Sequence, residues 1–228
     1  MLWDPSDPLI PPQDADVDGK ITVVLDLDET LIHAEAQQSG PPEVTPRHHV
    51  SKLLEVANGC CEVVVWTASS RLQAHYVLRQ IDHQRVVRHC VYKHRKWMPA
   101  NPRVQGYTKD LRLMGRNMDR IFIVENTPDC LLLNPANGIL VEDFSMQNNT
   151  DNTLLALAWI IQHMCASGKT VPNYLCSCPL LQRREVILRR TGEPFMALCL
   201  DSVAALDKWS PAEVMTSQKE SDVLFLTQ

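Results

Sequence analysis

Four stretches of the chain are almost continuously apolar and rich in β-branched residues: ITVVLDL (21–27), CEVVVWT (61–67), RIFIVEN (120–126) and GILVEDF (138–144). Runs of this length are expected of strands buried on both faces. HCVY (89–92) is a shorter candidate. The intervening segments have helical spacing. PRHHVSKLLEVANG opens at Pro46 and closes at Gly59, SSRLQAHYVLRQI follows a serine cap, and TDNTLLALAWIIQHMCASG sets Leu154, Leu157, Ile161 and Met164 on one stripe before Gly168. Alternation of this kind predicts an α/β, Rossmann-like fold with a central parallel sheet covered on both faces. Residues 1–18 form a Pro/Asp-rich segment expected as a loose arm, and residues 19–167 form the domain. Residues 168–228 are expected as a C-terminal extension, helical and packed on the domain, with a mobile tail.

Composition narrows the function. The 228 residues carry a formal charge of −5, which argues against direct nucleic-acid binding. The amino-terminal segment has neither the basic nor the long apolar region of a secretory signal. The longest apolar run, LLALAWII (154–161), is too short to span a bilayer. Eight cysteines without a signal peptide suggest free thiols and an intracellular location, nuclear or cytoplasmic.

Ligands of open parallel sheets bind beyond the carboxyl ends of the strands. Polar residues stand at these ends: Asp26 and Asp28 at the first run, Thr67 at the second, and Glu125 and Asn126 at the end of RIFIVEN, with Lys109 in the earlier GYTKDL. Alternation along a strand places Asp26 and Asp28 on one side. The set suits phosphoryl transfer. An ionised carboxylate can attack phosphorus directly, provided a metal ion and a cation offset the charge. Mg²⁺ takes hard oxygens, here Asp26, the Asp28 carbonyl and Asn126. Lys109 supplies the cation, Thr67 a hydroxyl for a phosphate oxygen, and Asp28 a proton carrier. Each residue alone also has a structural reading: Thr67 as a helix cap, Lys109 as a surface partner of Asp110, Asn126 as a turn former, Glu125 as a structural acid.

DLDETLIH (26–33), VVVWTAS (63–69), YTKDLRLMGRNMDRIFIVENTP (107–128) and the NTDNTLLALAWI helix resemble the FCP/SCP-type protein phosphatases of the haloacid dehalogenase superfamily, the family of the RNA polymerase II carboxy-terminal-domain phosphatases. The likeness covers residues 20–166 in one collinear series. It implies Asp26 as nucleophile, Asp28 as general acid/base, Thr67 and Lys109 as phosphate ligands, and Mg²⁺ held by Asp26, Asp28 and Asn126. It also implies a first strand lying between the second and fourth. Three features depart from the pattern: Glu125 where the family usually has Asp, only 41 positions from Asp26 to Thr67, and an insertion at 93–106. Glu125 is expected near the metal's water shell.

Neither connection has room for a large cap domain, so an open site and a phosphorylated protein substrate are expected. Residues 83–109 hold seven Lys/Arg and no Asp/Glu. Lys93, Arg95, Lys96, Trp97 and Arg103 are the expected docking residues. The alternatives are a weakly active or inactive phosphoprotein-binding scaffold and a small-molecule phosphatase. DADVDG (14–19) begins like a calcium loop but places Leu25 where a bidentate Glu belongs, so a turn is expected. Cys176 and Cys178 with Cys165 and His163 fit no usual zinc spacing, and Cys60-Cys61 reads as packing.

Overall fold

The computed structural model describes residues 7–99, 106–145 and 151–201. In chain order the elements are β1 (Ile21–Leu25), β2 (Ile32–Glu35), β3 (Glu43–Pro46), α1 (Val50–Cys60), β4 (Cys61–Trp66), α2 (Arg71–Ile81), β5 (His89–Val91), β6 (Ile121–Glu125), α3 (Pro128–Leu131), β7 (Gly138–Leu140), α4 (Thr153–Ala166), α5 (Val171–Ser177), β8 (Leu181–Ile187) and β9 (Pro194–Leu200). The main sheet has the order β5-β4-β1-β6-β7-β9-β8. Only the β8–β9 pair is antiparallel. β1 therefore lies between β4 and β6, as the family resemblance implies. A separate antiparallel hairpin, β2–β3, is the only sheet insert between β1 and α1 among the described residues.

Every residue of β1, β4 and β6 is buried, which accounts for their unbroken apolar character. Alternate residues feed two cores. Val23, Leu25, Val63, Val65, Phe122 and Val124 pack under α1, α2, α4 and α5. Val24, Val64, Trp66, Ile121 and Ile123 face a layer without long helices, built from Ile10, Trp97, Met98, Leu111 and Met114. Burying one such aliphatic side chain contributes about 1.5–3 kcal/mol, so both layers matter to stability.

Three boundaries differ from expectation. The first helix begins at Val50 rather than Pro46, because Pro46 pairs with Ile32 in the hairpin. The described part of the amino-terminal segment, residues 7–18, is not loose. Ile10 and Val17 are buried, Leu9 N–H donates to the Leu113 carbonyl at 2.7 Å, and Gln13 reaches the Glu62 carboxylate at 3.2 Å. Residues 14–19 form a turn in which Asp16 pairs with Arg88. The carboxy-terminal extension is not helical throughout. After the short α5, LQRREVI and PFMALCL form a hairpin that joins the central sheet through β9 and β7. Four consecutive exposed polar residues, Gln182, Arg183, Arg184 and Glu185, suit β8 to the edge of the sheet, where charge discourages further strand pairing. The tail beyond 201 lies outside the described residues. Among those described, no helix is long and apolar enough to cross a membrane.

Candidate active site

β1 ends at Leu25, two residues earlier than its apolar pattern predicts, so both acids sit on the loop just past the sheet. Asp26 N–H still donates to the Val124 carbonyl at 3.0 Å, which continues the pairing with β6. The chain then reverses. Glu29 adopts φ 60°, a left-handed conformation, and its N–H meets the Ile32 carbonyl at 2.7 Å. Ahead of this turn the two carboxylates take different partners, and Asp28 lies near enough to Asp26 for its charge to act on it.

Asp26 points inward and is 6% exposed. Its Oδ1 accepts from Lys109 Nζ at 2.5 Å, and its Oδ2 accepts from the Thr30 hydroxyl at 3.0 Å. Lys109 is enclosed and also donates to Glu125 Oε2 at 2.6 Å and to the Trp66 carbonyl at 2.7 Å. One cation thus serves two buried acids. Desolvation, followed by the nearby Glu125 charge, raises the Asp26 pKa to about 7 despite Lys109. Burial opposes the charge on Lys109, but Asp26 and Glu125 outweigh it and hold its pKa above the ordinary lysine value.

Asp28 is half-buried and has its own set of partners. Its Oδ2 accepts from the hydroxyls of Thr67 at 2.9 Å and Ser69 at 2.8 Å. Thr67 is not the cap of α2. Ser70 caps that helix through Gln73 N–H at 3.3 Å, while Thr67 Oγ1 accepts from Ser69 N–H at 2.9 Å. Lys109 is likewise not a surface partner of Asp110, which instead pairs with Arg112.

Asn126 stands across from Asp26. Its Oδ1 lies 3.4 Å from the Thr30 hydroxyl, so Asp26 and Asn126 offer two oxygens around one hydroxyl. The Asn126 Nδ2 donates to Asp143 Oδ1 at 2.8 Å. Arg189 holds Asp143 at 2.7 and 2.9 Å and donates to the Asn126 carbonyl at 3.2 Å. A carboxylate can only accept, so Asp143 fixes the amide with its nitrogen outward and its oxygen toward Asp26. With the Asp28 carbonyl, this set of hard oxygens suits Mg²⁺. Glu125 is spoken for: Oε2 meets Lys109, and Oε1 accepts from Thr127 N–H at 3.1 Å.

Several of these supports are absent from the sequence reading. Thr30, Ser69, Asp143, Asn134 and Arg189 all touch the site or its backbone. Asn134 clamps the lysine loop, accepting from Leu111 N–H at 3.0 Å and donating to the Lys109 carbonyl. Buried Arg47 braces the acid loop. It donates to the Thr30 and Glu142 carbonyls, each at 3.1 Å, and to Asp151 at 2.6 Å at the start of α4. Thr30 and Ser69 were visible as neighbours of recognised stations, whereas no local signal marks Arg189, 63 positions beyond Asn126.

The docking residues separate. Lys93 and Arg95 are exposed, and Lys93 N–H donates to the Ser69 carbonyl at 3.0 Å, which ties this loop to the site. Lys96 is half-buried. Trp97 is a correction: it is 7% exposed, packs edge-on against Trp66 and Tyr107, and donates to the Tyr92 carbonyl at 3.0 Å. It anchors the loop from beneath instead of lining a groove. Arg103 lies outside the described residues.

A mostly parallel sheet with two acids just beyond its central strand and a lysine from the loop before β6 defines a Rossmann-like fold, with only the β2–β3 hairpin inserted over the first connection among the described residues. Residues 21–172 match the model of the NLI interacting factor-like phosphatases, and the chain belongs to that family. It is 28% identical over 167 residues to mitochondrial import inner membrane translocase subunit tim50 of Emericella nidulans, covering 72% of this chain and 30% of that protein. It is 27% identical over 161 residues to CTD small phosphatase-like protein 2 of Dictyostelium discoideum (64% and 27% covered). To the CTD nuclear envelope phosphatase 1 homolog of Drosophila melanogaster it is 30% identical over 160 residues (60% and 64% covered). The chain therefore spans less than two-thirds of the length of each of these relatives. Arg189 and its hairpin lie beyond the matched residues.

Proposed function

We propose that the protein is a Mg²⁺-dependent phosphoserine/phosphothreonine protein phosphatase working through an aspartyl-phosphate on Asp26. The observation that carries this reading is the unequal placement of the two acids. Asp26 is enclosed and hydrogen-bonded to a lysine, while Asp28 is half-buried and held by two hydroxyls. Asp26 attacks phosphorus. Asp28 gives its proton to the leaving oxygen, then takes one from the water that hydrolyses the acyl phosphate. Lys109, Thr67 and Ser69 orient the phosphoryl oxygens, and Glu125 acts through Lys109. When bound by Asp26, Asn126 and the Asp28 carbonyl, Mg²⁺ would offset the charge that gathers as anion meets anion.

A protein substrate is favoured by what surrounds the site. A groove of about 520 Å³ runs between the β2–β3 connection and α2, lined in part by Pro41, Pro42, Leu72 and Tyr76. Leu72 is 86% exposed, and basic Lys93 and Arg95 flank the same end of the sheet. An apolar groove with cationic neighbours suits a phosphopeptide, including one like the polymerase tail, better than a small metabolite. Eight free cysteines accord with a reducing compartment, nuclear or cytoplasmic.

Similarity to a translocase subunit favours a second reading, a phosphoprotein-binding scaffold with little or no turnover. Turnover of an aryl phosphate, a phosphopeptide array and a metabolite-phosphate panel, each with Mg²⁺, separates the readings. Phosphatase action predicts peptide turnover that falls at least about 10³-fold in Asp26→Asn. Full activity in that variant overturns the mechanism, and peptide binding without turnover by the wild type supports the scaffold.

A further inference from the structure

Three thiols meet at the end of the sheet opposite Asp26. Cys60 closes α1, Cys61 opens β4, and Cys165 lies in the last turn of α4. Cys61 Sγ is 4.0 Å from Cys60 Sγ and 3.5 Å from Cys165 Sγ, and all three sulfurs lie within 4.8 Å of one another. Cys61 is buried while the other two are half-buried, so the group has a floor and a side that solvent reaches. Two neighbouring cysteines before a strand read as packing; the third arrives from 104 positions away and changes their chemistry.

We propose that Cys60, Cys61 and Cys165 form a binding site for a thiophilic closed-shell cation, Zn²⁺ or Cu⁺, held by three sulfurs. Bonds of about 2.3 Å set sulfurs roughly 3.8 Å apart around a tetrahedral ion and roughly 4.0 Å apart around a trigonal one. The separations of 3.5 and 4.0 Å are close to both values and the third is no more than 4.8 Å, so the ligands need only small shifts. The helices add a bias of the right sign. α1 and α4 both end at the cluster, and carboxyl-terminal helix ends carry partial negative charge that favours a cation.

Protonation is compatible with this role. Hydrogen bonds from the Cys165 and Cys61 thiols lower the Cys60 pKa, so a first thiolate is at hand. The other two thiols are held up and release their protons to solvent as the ion binds. Lys20 near Cys60 and Arg120 near Cys165 offset the surplus negative charge of three thiolates. Among the described residues no fourth His, Cys, Asp or Glu joins the group. A tetrahedral Zn²⁺ would take water or an external thiol as its fourth ligand, and a trigonal Cu⁺ needs none.

Soft sulfur ligands also discriminate against Mg²⁺, so this centre and the carboxylate site do not compete for one metal. Cys61 and Thr67 are six residues apart along β4, or about 20 Å. The ion would therefore tie α1 and α4 to the sheet without entering the chemistry.

The test uses the full, reduced chain under anaerobic conditions, titrated separately with Zn²⁺ and with Cu⁺ against a chelator. Co²⁺ serves as the spectroscopic stand-in for Zn²⁺. One retained ion per chain is expected in at least one arm, with a thiolate-to-metal charge-transfer band and a raised Tm. Cys60→Ser and Cys165→Ser should each weaken retention at least about tenfold. Cys176→Ser should leave it unchanged, and Asp26→Asn should bind the ion as the wild type does. The last result separates this inference from the phosphatase reading. No retained ion in either arm overturns the site, as does equal retention by the Cys60→Ser and Cys165→Ser chains. A Cys61–Cys165 disulfide that persists in the reduced preparation, seen by mass spectrometry, also overturns it.

Discussion

At the carboxyl end of the sheet one lysine faces two enclosed carboxylates, Asp26 and Glu125. At the amino end one enclosed carboxylate, Glu62, is met by four donors, as many as its two oxygens can accept. Arg116 grips it through Nε at 2.8 Å and Nη2 at 2.7 Å, the Thr22 hydroxyl adds a bond at 2.7 Å, and Gln13 adds another at 3.2 Å. Both networks are buried in the same sheet, yet they shift their acids in opposite senses. Desolvation leads at Asp26 and raises its pKa, with Glu125 adding to the rise. Desolvation also opposes ionisation at Glu62, but Arg116, Thr22 and Gln13 outweigh it and lower the pKa. A satisfied buried ion pair holds the amino-terminal segment to the fold. An over-acidic one stores unmet negative charge where an incoming cation and phosphate can be used.

Replacing the cation at each end should expose the difference. Lys109→Met should have the largest effect, lowering turnover at least about 10³-fold, because it leaves two buried carboxylates facing each other and removes a phosphate ligand. Steady-state turnover alongside circular dichroism checks this, and a folded, active variant would break the comparison.

Arg116→Met should come next, on a different axis. It should cost about 3 kcal/mol of stability by stranding Glu62, with turnover per folded molecule unchanged. Glu62 is lowered in the folded state, so its contribution is present above the unfolded pKa. It disappears as pH falls through the lower folded value. Urea melts between about pH 6 and 2.5 should therefore show a loss of stability below about pH 4.5 that is smaller in the variant.

The smallest effect is expected at Arg189→Ala, which frees Asp143 and loosens the Asn126 amide. The Mg²⁺ concentration for half-maximal turnover should rise about tenfold while the saturated rate changes little. Calorimetric Mg²⁺ binding should weaken in step. An unchanged Mg²⁺ requirement would leave Arg189 as a purely structural clamp.

The strands were legible because burial on both faces leaves an unbroken apolar run with no alternative use. Asp26, Asp28, Thr67 and Asn126 were legible because each stands where such a run gives out, Lys109 because GYTKDL leads to one, and the structure brings all five to one end of the sheet. Boundaries were less legible where two elements share residues. Pro46 suits a helix start but is taken by the β2–β3 hairpin, and Asp28 continues the strand pattern although the chain turns at Glu29. Trp97 could not be told from a docking aromatic by composition, since Trp66 and Tyr107 bury it from other parts of the chain.

Local patterning therefore specified strands β1 and β4 to β7, the acids at the end of β1 and the family to which they belong, because periodicity and short-range spacing are properties of neighbouring residues. The folded structure alone decided which partners those residues meet. Arg189 joins Asn126 from 63 positions away, Arg116 meets Glu62 from 54, and Cys165 reaches Cys61 from 104. Such contacts leave no periodic trace, since burial, charge balance and ligand geometry arise only when distant segments pack against one another.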